Sequence, residues 1–398
     1  MEPGQPGPAF HTASPEEIRS GRVTDVYFDR GRKVLEAEGE NPDVVAEVRT
    51  TGLPGEWPWG IFAGLEEAVA LLQGRDVELR AIPEGSVFLP EEPVLTIGGR
   101  YLEFGVLETA LLGVLCQATG VATRAARCKI AAQGRPVYSF GARRMHPAIA
   151  PMIERAAYVG GCDGVAVVKS GDVLEIEPIG TMAHALILIL GEERAYRGFD
   201  RVIDPEVPRV ALIDTFQDEK FGALAAAKIL GERLSAVRLD TPGSRRGDFG
   251  AILREVRWEL DGAGFQDVEI FVSGGIDEQG IRELPVADAF GVGTWISSGA
   301  VVDFSLDIVE VHGEPRAKRG KLSGRKSLWR CSSCGHRAFT PGREPPLTCP
   351  QCGGTVQSLV ATWLSAGKQA RELPPASSVR AWALQEGAAA ANPFNPGG

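Results

Sequence analysis

Apolar and polar positions follow two different rhythms along this chain. In the first, Phe62, Leu65, Val69 and Leu72 recur at helical spacing and predict a helix over Gly60–Gln73. Short apolar runs at Val77–Leu79, Ser86–Phe88 and Val94–Ile97 predict strands, because Pro83-Glu84-Gly85 and Pro90-Glu91-Glu92-Pro93 punctuate them as turns. Two further apolar helices are expected at Tyr101–Cys116 and Thr119–Ala132. Mixed short strands and helices of this kind describe a separate α+β domain, residues 10–117.

From about Pro136 the rhythm changes. Short apolar strands alternate with helical segments at Pro136–Phe140, Gly161–Asp163, Glu175–Ile179, Val210–Asp214, Ala236–Asp240, Val268–Ser273 and Ala287–Gly293. That alternation predicts parallel βα units, and seven of them predict a closed or nearly closed α/β barrel. At the C-terminal ends of these strands stand Arg143 with Arg144, Asp163, His184, Asp214, Arg238 with Asp240, Ser273-Gly274-Gly275, and Gly293-Thr294. In an α/β barrel those ends converge on the face that carries the active site. Loops and helix caps favour such residues too, so it is the whole set that argues for a site.

Composition narrows the class. Across 398 residues, 44% hydrophobic and 24% charged residues describe an ordinary globular protein with a large core. A formal charge of −10 argues against a nucleic-acid partner. The most apolar run, Ala185–Leu190, is too short to span a bilayer, so no membrane span is expected. No secretory signal pattern is seen at the N-terminus, and the expected location is the cytoplasm. Pro/Gly-rich Met1–Gly7 and the Ala/Pro/Gly tail from about Ala388 are expected to be disordered.

Cysteine spacing adds a metal module. Cys331-x2-Cys334-x14-Cys349-x2-Cys352, with Gly335 and Gly353-Gly354 after the pairs, reads as four thiolates around one tetrahedral zinc. Iron is the alternative, and four filled positions make the site structural. Cys116 and Cys128 fall in apolar helical pattern and read as buried small hydrophobes.

The strand-end residues suggest a ligand. Arginine grips carboxylate and phosphate in a planar, bidentate fashion. Glycines at the ends of the last two strands let backbone N–H groups reach a phosphate, a frequent use of that position in such barrels. Asp240 points the same way as Arg238 on a strand, so it can hold ribose hydroxyls while the arginine holds an anion, or the two can simply pair. Composition and spacing thus reach a phosphorylated sugar with an anionic partner.

Five motifs go further: Thr24-Asp25-Val26-Tyr27-Phe28, Ser139-Phe140-Gly141-Ala142-Arg143-Arg144, Gly180-Thr181-Met182-Ala183-His184, Val237-Arg238-Leu239-Asp240, and Phe271-Val272-Ser273-Gly274-Gly275-Ile276-Asp277. Phe290–Thr294 and the run Ala317–Ser323 support them. In this order and spacing the chain resembles the nicotinate phosphoribosyltransferases over about Thr24–Ser327, and most nearly the archaeal-type members with a C-terminal four-cysteine module. The resemblance implies an incomplete seven-stranded α/β barrel of the type II phosphoribosyltransferase kind. In that layout residues 10–117 are the N-terminal α+β domain and 118–304 the barrel. Residues 305–328 are a return segment packing on the N-terminal domain, 329–366 the zinc ribbon, and 367–398 a C-terminal helix and tail.

The implied reaction transfers 5-phosphoribosyl from phosphoribosyl pyrophosphate to nicotinate, giving nicotinate mononucleotide and pyrophosphate in NAD biosynthesis. It is assisted by Mg²⁺ and coupled to ATP hydrolysis, as in a ligase. The implied assembly is a homodimer, or a higher oligomer of it, with sites shared across the interface. Tyr27 from the partner and Phe140 would sandwich the pyridine ring. Arg143, Arg144 and Arg238 would grip anionic groups, Asp240 the ribose hydroxyls, and Asp163 the base. Thr181 and Ser273 belong to the substrate-binding set. Gly274, Gly275, Gly293 and Thr294 would cradle the 5′-phosphate, Lys318 or Lys321 would meet pyrophosphate, and His184 would be phosphorylated by ATP. Two alternatives stand beside this reading: a decarboxylating quinolinate phosphoribosyltransferase, and a non-catalytic barrel scaffold whose zinc ribbon is a binding surface.

Overall fold

A computed structural model describes residues 10–391 of the chain. The expectation for Met1–Gly7 lies outside those residues. That for the tail is corrected in part, since the last helix, Ala376–Ala391, runs through Ala388. Two compact units are present. One comprises residues 10–119 and 301–375, the other residues 120–300 and 376–391.

The first unit is built on a seven-stranded sheet. Its order is Glu314–Pro315, Ser305–Val311, Asp43–Arg49, Leu95–Arg100, Val77–Ala81, Ala361–Ser365 and Lys368–Gln369. Every neighbouring pair is antiparallel. Val77–Ala81 alternates buried and half-buried residues, the period-2 pattern of a strand with one face on the core. Against that face pack Phe62, Leu65, Val69 and Leu72, all buried, with the helix itself limited to Leu65–Leu72 and Gly60–Ile61 forming a short strand.

The three-stranded ribbon sheet runs Arg337–Pro341, Lys326–Cys331, Val356–Ser358. Ala361–Ser365, expected within the ribbon, belongs to the large sheet, where it pairs with Val77–Ala81. Two buried ion pairs lie at the base of the ribbon: Lys326 Nζ with Glu47 Oε2 at 2.8 Å, and Arg337 with both carboxylate oxygens of Glu92 at 2.6 and 2.7 Å.

The two helices expected at Tyr101–Cys116 and Thr119–Ala132 are one run from Tyr101 to Ala131 with a single 3-10 turn near its start. This run is long and apolar enough by length and composition to cross a membrane, which corrects the expectation that no such stretch exists. Small Ala, Gly and Thr residues interrupt its Leu and Val positions, so no single apolar run within it is long. Half of its most apolar window is buried inside the fold, as suits a core helix.

The second unit carries a parallel sheet in the order Gly164–Val165, Val137–Ser139, Ala289–Val292, Glu269–Val272, Leu234–Leu239, Arg209–Leu212. All pairs are parallel, as alternating βα units demand. Ala289–Val292 is buried at every position, as a strand covered on both faces must be. Asp218, Asp248 and Asp277 cap the helices that follow three of the strands, each side chain accepting a backbone N–H.

Five of the seven expected strands form, and in place of the one expected at Gly161–Asp163 a strand runs just beyond it, at Gly164–Val165. Glu175–Ile179 forms no strand, although Ile179 donates one hydrogen bond to the Val165 carbonyl at 2.7 Å, in the place where a seventh strand would pair. The segment before it, a poor helix by composition, is nevertheless helical at Val168–Leu174. The result is an open, six-stranded parallel half-barrel in place of the expected seven strands.

Candidate active site

The C-terminal strand ends of the second unit surround a cavity of about 590 Å³. That size accommodates a small-molecule ligand. Of the sequence-derived site residues, Phe140, Arg143, Arg144, Thr181, His184, Arg238, Asp240, Ser273, Gly274, Gly275, Gly293 and Thr294 all line it.

Arg238 organises the floor. From the strand Leu234–Leu239 its Nε donates to Ser273 Oγ at 2.9 Å, and its Nη1 to Thr181 Oγ1 at 2.7 Å. Nη2 lies 3.4 Å from Asp240 Oδ2. Ser273 Oγ in turn donates to Asp240 Oδ1 at 2.8 Å. The guanidinium also sits 5.4 Å from the centroid of the Phe140 ring, which Phe271 supports from another side at 5.6 Å. Gly291 makes room for that ring: a Cβ there would meet Phe140 Cδ2 at 2.5 Å.

At one wall the N–H groups of Gly274, Gly275 and Thr294 donate to no other group among the described residues. Gly274 and Gly275 have φ of +78° and +67°, a conformation that glycine adopts without strain. Arg143 and Arg144 lie in a 3-10 turn after the strand Val137–Ser139, are exposed, and have no side-chain partner among the described residues. Unpaired donors and unpaired cations on a concave surface form an anion-binding arrangement.

His184 opens the helix His184–Leu190. Its Nε2 is 3.4 Å from Oδ1 of Asp214, whose carboxylate is 3% exposed. Burial raises the pKa of Asp214 above the ordinary carboxylate value, and nearby His184 opposes that shift. Asp214 was noted at its strand end but not placed in the site by the sequence. Arg246 was missed altogether. It donates to the carbonyls of Thr241, Ser273 and Gly274 behind the cavity wall. Its one sequence signal was the Arg245-Arg246 doublet after Thr241, which no periodicity singles out.

Three expected site residues stand elsewhere. Asp163 precedes the strand Gly164–Val165 instead of ending one. It is at the opposite end of the sheet from the cavity, where its carboxylate pairs with Lys129 at 2.7 Å and Arg380 at 2.6 Å and accepts the Val137 N–H at 2.8 Å. The expectation that it contacts the base is therefore withdrawn: the strand was placed about three residues too early. Tyr27 and Lys318 belong to the first unit. The Tyr27 ring is exposed on the helix Val26–Glu38. Lys318 and Lys321 both pair with Asp307, at 2.6 and 2.7 Å.

The four ribbon cysteines converge as their spacing predicts. All four Sγ atoms lie within 4.8 Å of one another, with Cys331 to Cys352 at 3.5 Å and Cys334 to Cys349 at 3.7 Å. Thiolates about 2.3 Å from one tetrahedral ion stand about 3.8 Å apart, so this set can hold a single metal ion. Gly335 and Gly353, at φ of +70° and +73°, turn the chain back after each pair.

A parallel half-barrel with an anion-binding cavity at its strand ends is the arrangement of the type II phosphoribosyltransferases. Models of the N-terminal and C-terminal domains of quinolinate phosphoribosyl transferase match residues 25–119 and 121–307. A nicotinate phosphoribosyltransferase of Mycobacterium tuberculosis is 32% identical over 326 residues, covering 77% of this chain and 67% of the relative. The Bacillus subtilis nicotinate phosphoribosyltransferase is 30% identical over 281 residues, covering 61% and 56%. Among solved structures, that described as the nicotinate-nucleotide pyrophosphorylase of Pyrococcus furiosus is 51% identical, with a TM-score of 0.93 over 97% of this chain and 99% of that one. Human nicotinic acid phosphoribosyltransferase, 21% identical, shares the fold at a TM-score of 0.74, covering 91% and 93% of the two chains. The chain belongs to the nicotinate phosphoribosyltransferase family.

Proposed function

We propose that this protein transfers the 5-phosphoribosyl group of phosphoribosyl pyrophosphate to nicotinate, releasing pyrophosphate and nicotinate mononucleotide. The observation that carries the reading is the Arg238–Ser273–Asp240–Thr181 network at the floor of a cavity whose wall cations and N–H groups have no partner among the described residues. In the reaction the bond from the anomeric carbon to the pyrophosphate oxygen breaks, and its electron pair leaves with pyrophosphate. The nicotinate ring nitrogen then bonds that carbon from the opposite face. No protein nucleophile is needed, so the chain acts by positioning and by stabilising charge.

Several of the lining residues take parts in this scheme. Gly274, Gly275, Gly293 and Thr294 hold the 5′-phosphate. Asp240, held by Ser273 and Arg238, accepts from the ribose hydroxyls. Phe140 stacks on the pyridine ring. Arg143, Arg144 and Arg238 answer the nicotinate carboxylate and the pyrophosphate, which arrives as its Mg²⁺ complex. His184, with Asp214 behind it, is the acceptor of the ATP γ-phosphate, and hydrolysis of that phosphohistidine favours product. A second copy of the chain offers Tyr27 to the other face of the base. Lys318, still 66% exposed although paired with Asp307, is a candidate for pyrophosphate. The reading places the enzyme in the cytoplasm, where four ribbon thiolates stay reduced and hold a structural zinc.

The experiment is product formation from phosphoribosyl pyrophosphate and Mg²⁺ with nicotinate, nicotinamide or quinolinate, each with and without ATP. Nicotinate mononucleotide from nicotinate alone is expected, with ATP raising the yield. Product only from quinolinate would move the enzyme to the decarboxylating reaction, and no product from any base would make it a scaffold.

A further inference from the structure

The strand Glu269–Val272 ends in Ser273-Gly274-Gly275, and something must hold that turn open to the cavity. Two successive left-handed glycines form a flexible segment, since glycine visits many conformations at similar cost. Arg246 supplies the constraint. It leaves the short helix Gly243–Arg246, stacks 4.5 Å from the centroid of the Phe249 ring, and donates through Nε to the Thr241 carbonyl at 2.6 Å. Through Nη2 it donates to the Ser273 carbonyl at 2.8 Å and also to the Gly274 carbonyl.

The consequence follows from peptide geometry. In a planar trans peptide the C=O and the next N–H point in opposite directions. A guanidinium that gathers the Ser273 and Gly274 carbonyls on one side therefore turns the Gly274 and Gly275 N–H groups to the other. Both glycines line the cavity, and both N–H groups lack an acceptor among the described residues. Side-chain growth is excluded at the same place, because a Cβ on Gly274 would stand 2.8 Å from Asp240 Oδ1 and 3.2 Å from Arg246 Nη2. The positive charge behind the two peptides further favours an anion in front of them.

We propose that Arg246 is a positioning residue for the anion cradle. It touches no substrate but fixes the two backbone donors that receive the phosphate of phosphoribosyl pyrophosphate. This rests on the phosphoribosyl-transfer reading above. Arg246→Ala frees both carbonyls, so the N–H pair loses its orientation. Losing one charge-assisted restraint on an anion site corresponds to about tenfold or more in affinity. The expected outcome is a rise of that order in KM for phosphoribosyl pyrophosphate and in the dissociation constant for ribose 5-phosphate, with KM for nicotinate nearly unchanged.

Arg246→Lys keeps a charged donor within reach of the carbonyls and should recover part of the loss. Arg257→Ala is the structural control. Arg257 also binds backbone carbonyls, those of Val268 and Phe265, but at the start of the same strand, away from the cavity. It should lower stability without moving KM for phosphoribosyl pyrophosphate. The inference is overturned if Arg246→Ala leaves ribose 5-phosphate binding intact, or if Arg246→Lys and Arg257→Ala shift both substrates equally. Ribose 5-phosphate binding by calorimetry keeps this separate from the choice of base. A wild-type protein that binds the sugar phosphate but makes no nicotinate mononucleotide would sink the functional reading, while the Arg246 comparison would still decide the inference.

Discussion

Replacing Arg238 by alanine removes a side chain that ties two strand ends of the cavity to the loop carrying Thr181. Its Nε–Ser273 and Nη1–Thr181 hydrogen bonds, at 2.9 and 2.7 Å, are charge-assisted. Losing each costs about 1.5–3 kcal/mol when the partner is left unsatisfied. The two together bound the loss of folded-state stability at about 3–6 kcal/mol, while withdrawing a preorganised cationic donor from the developing pyrophosphate anion lowers the rate roughly a hundredfold to a thousandfold. The lower end is the better expectation, because the side chain is 16% exposed and water can replace part of what is lost. Stability falls as well, because the same two hydrogen bonds join groups of the folded chain. The Asp240 contact adds little to that loss, because at 3.4 Å and with both side chains partly open to solvent it is a long, screened pair. Steady-state rates with phosphoribosyl pyrophosphate varied at saturating nicotinate, beside thermal unfolding of both proteins, test the two halves together. A variant within threefold of wild type in kcat/KM would refute the assignment. A variant that loses activity only in proportion to its loss of folded protein would refute it equally.

Three further outcomes are expected. His184→Ala should retain ATP-independent transfer and lose the stimulation by ATP, measured as product yield with and without the nucleotide; full stimulation in the variant would remove His184 from the coupling step. Cys331→Ser should lower the zinc content from about one per chain and destabilise the ribbon sheet, read by metal analysis and by an earlier unfolding transition; a folded wild-type preparation free of metal would contradict the thiolate site. Glu108, raised to about 7 chiefly by burial and further by Asp307 and Asp25 against the opposing Lys318, binds its proton more tightly when folded than when unfolded. Its contribution is therefore present at low pH and is lost as pH rises from about 4.5 to 7. Glu108→Gln should flatten that part of the stability profile and be the more stable form at pH 8; an unchanged profile would show that Glu108 ionises freely.

Much of the barrel was legible in the sequence because buried parallel strands are short, continuous apolar runs. Ala289–Val292 and Glu269–Val272 are of this kind. The residue at such a strand's C-terminal end is then fixed by counting, and Arg238, Asp240, Ser273 and Gly274 came out on the cavity for that reason. Counting failed where the apolar run was ambiguous. At Gly161–Val165 the strand begins three residues later than expected, which moves Asp163 from the cavity to the other end of the sheet. At Glu175–Ile179 apolar residues alternate well enough for a strand, yet only Ile179 finds a ladder partner. Pairing is a property of the neighbouring strand, and nothing local reports it.

The sequence by itself determined the class of chemistry, since arginines, glycines and an aspartate recur at strand ends and four cysteines recur at metal-ligand spacing. Local periodicity and local spacing suffice for both. Tertiary structure alone decided which charges are spent on one another and which remain for a ligand. Lys129 and Arg380 neutralise Asp163, and Asp307 holds Lys318 and Lys321, whereas Arg143 and Arg144 have no side-chain partner among the described residues. It also decided that Arg246, unremarkable in the sequence, stands behind the glycine turn. Charge pairing and backbone bracing join residues far apart in the chain, so they exist only once the fold has brought those residues within hydrogen-bond reach.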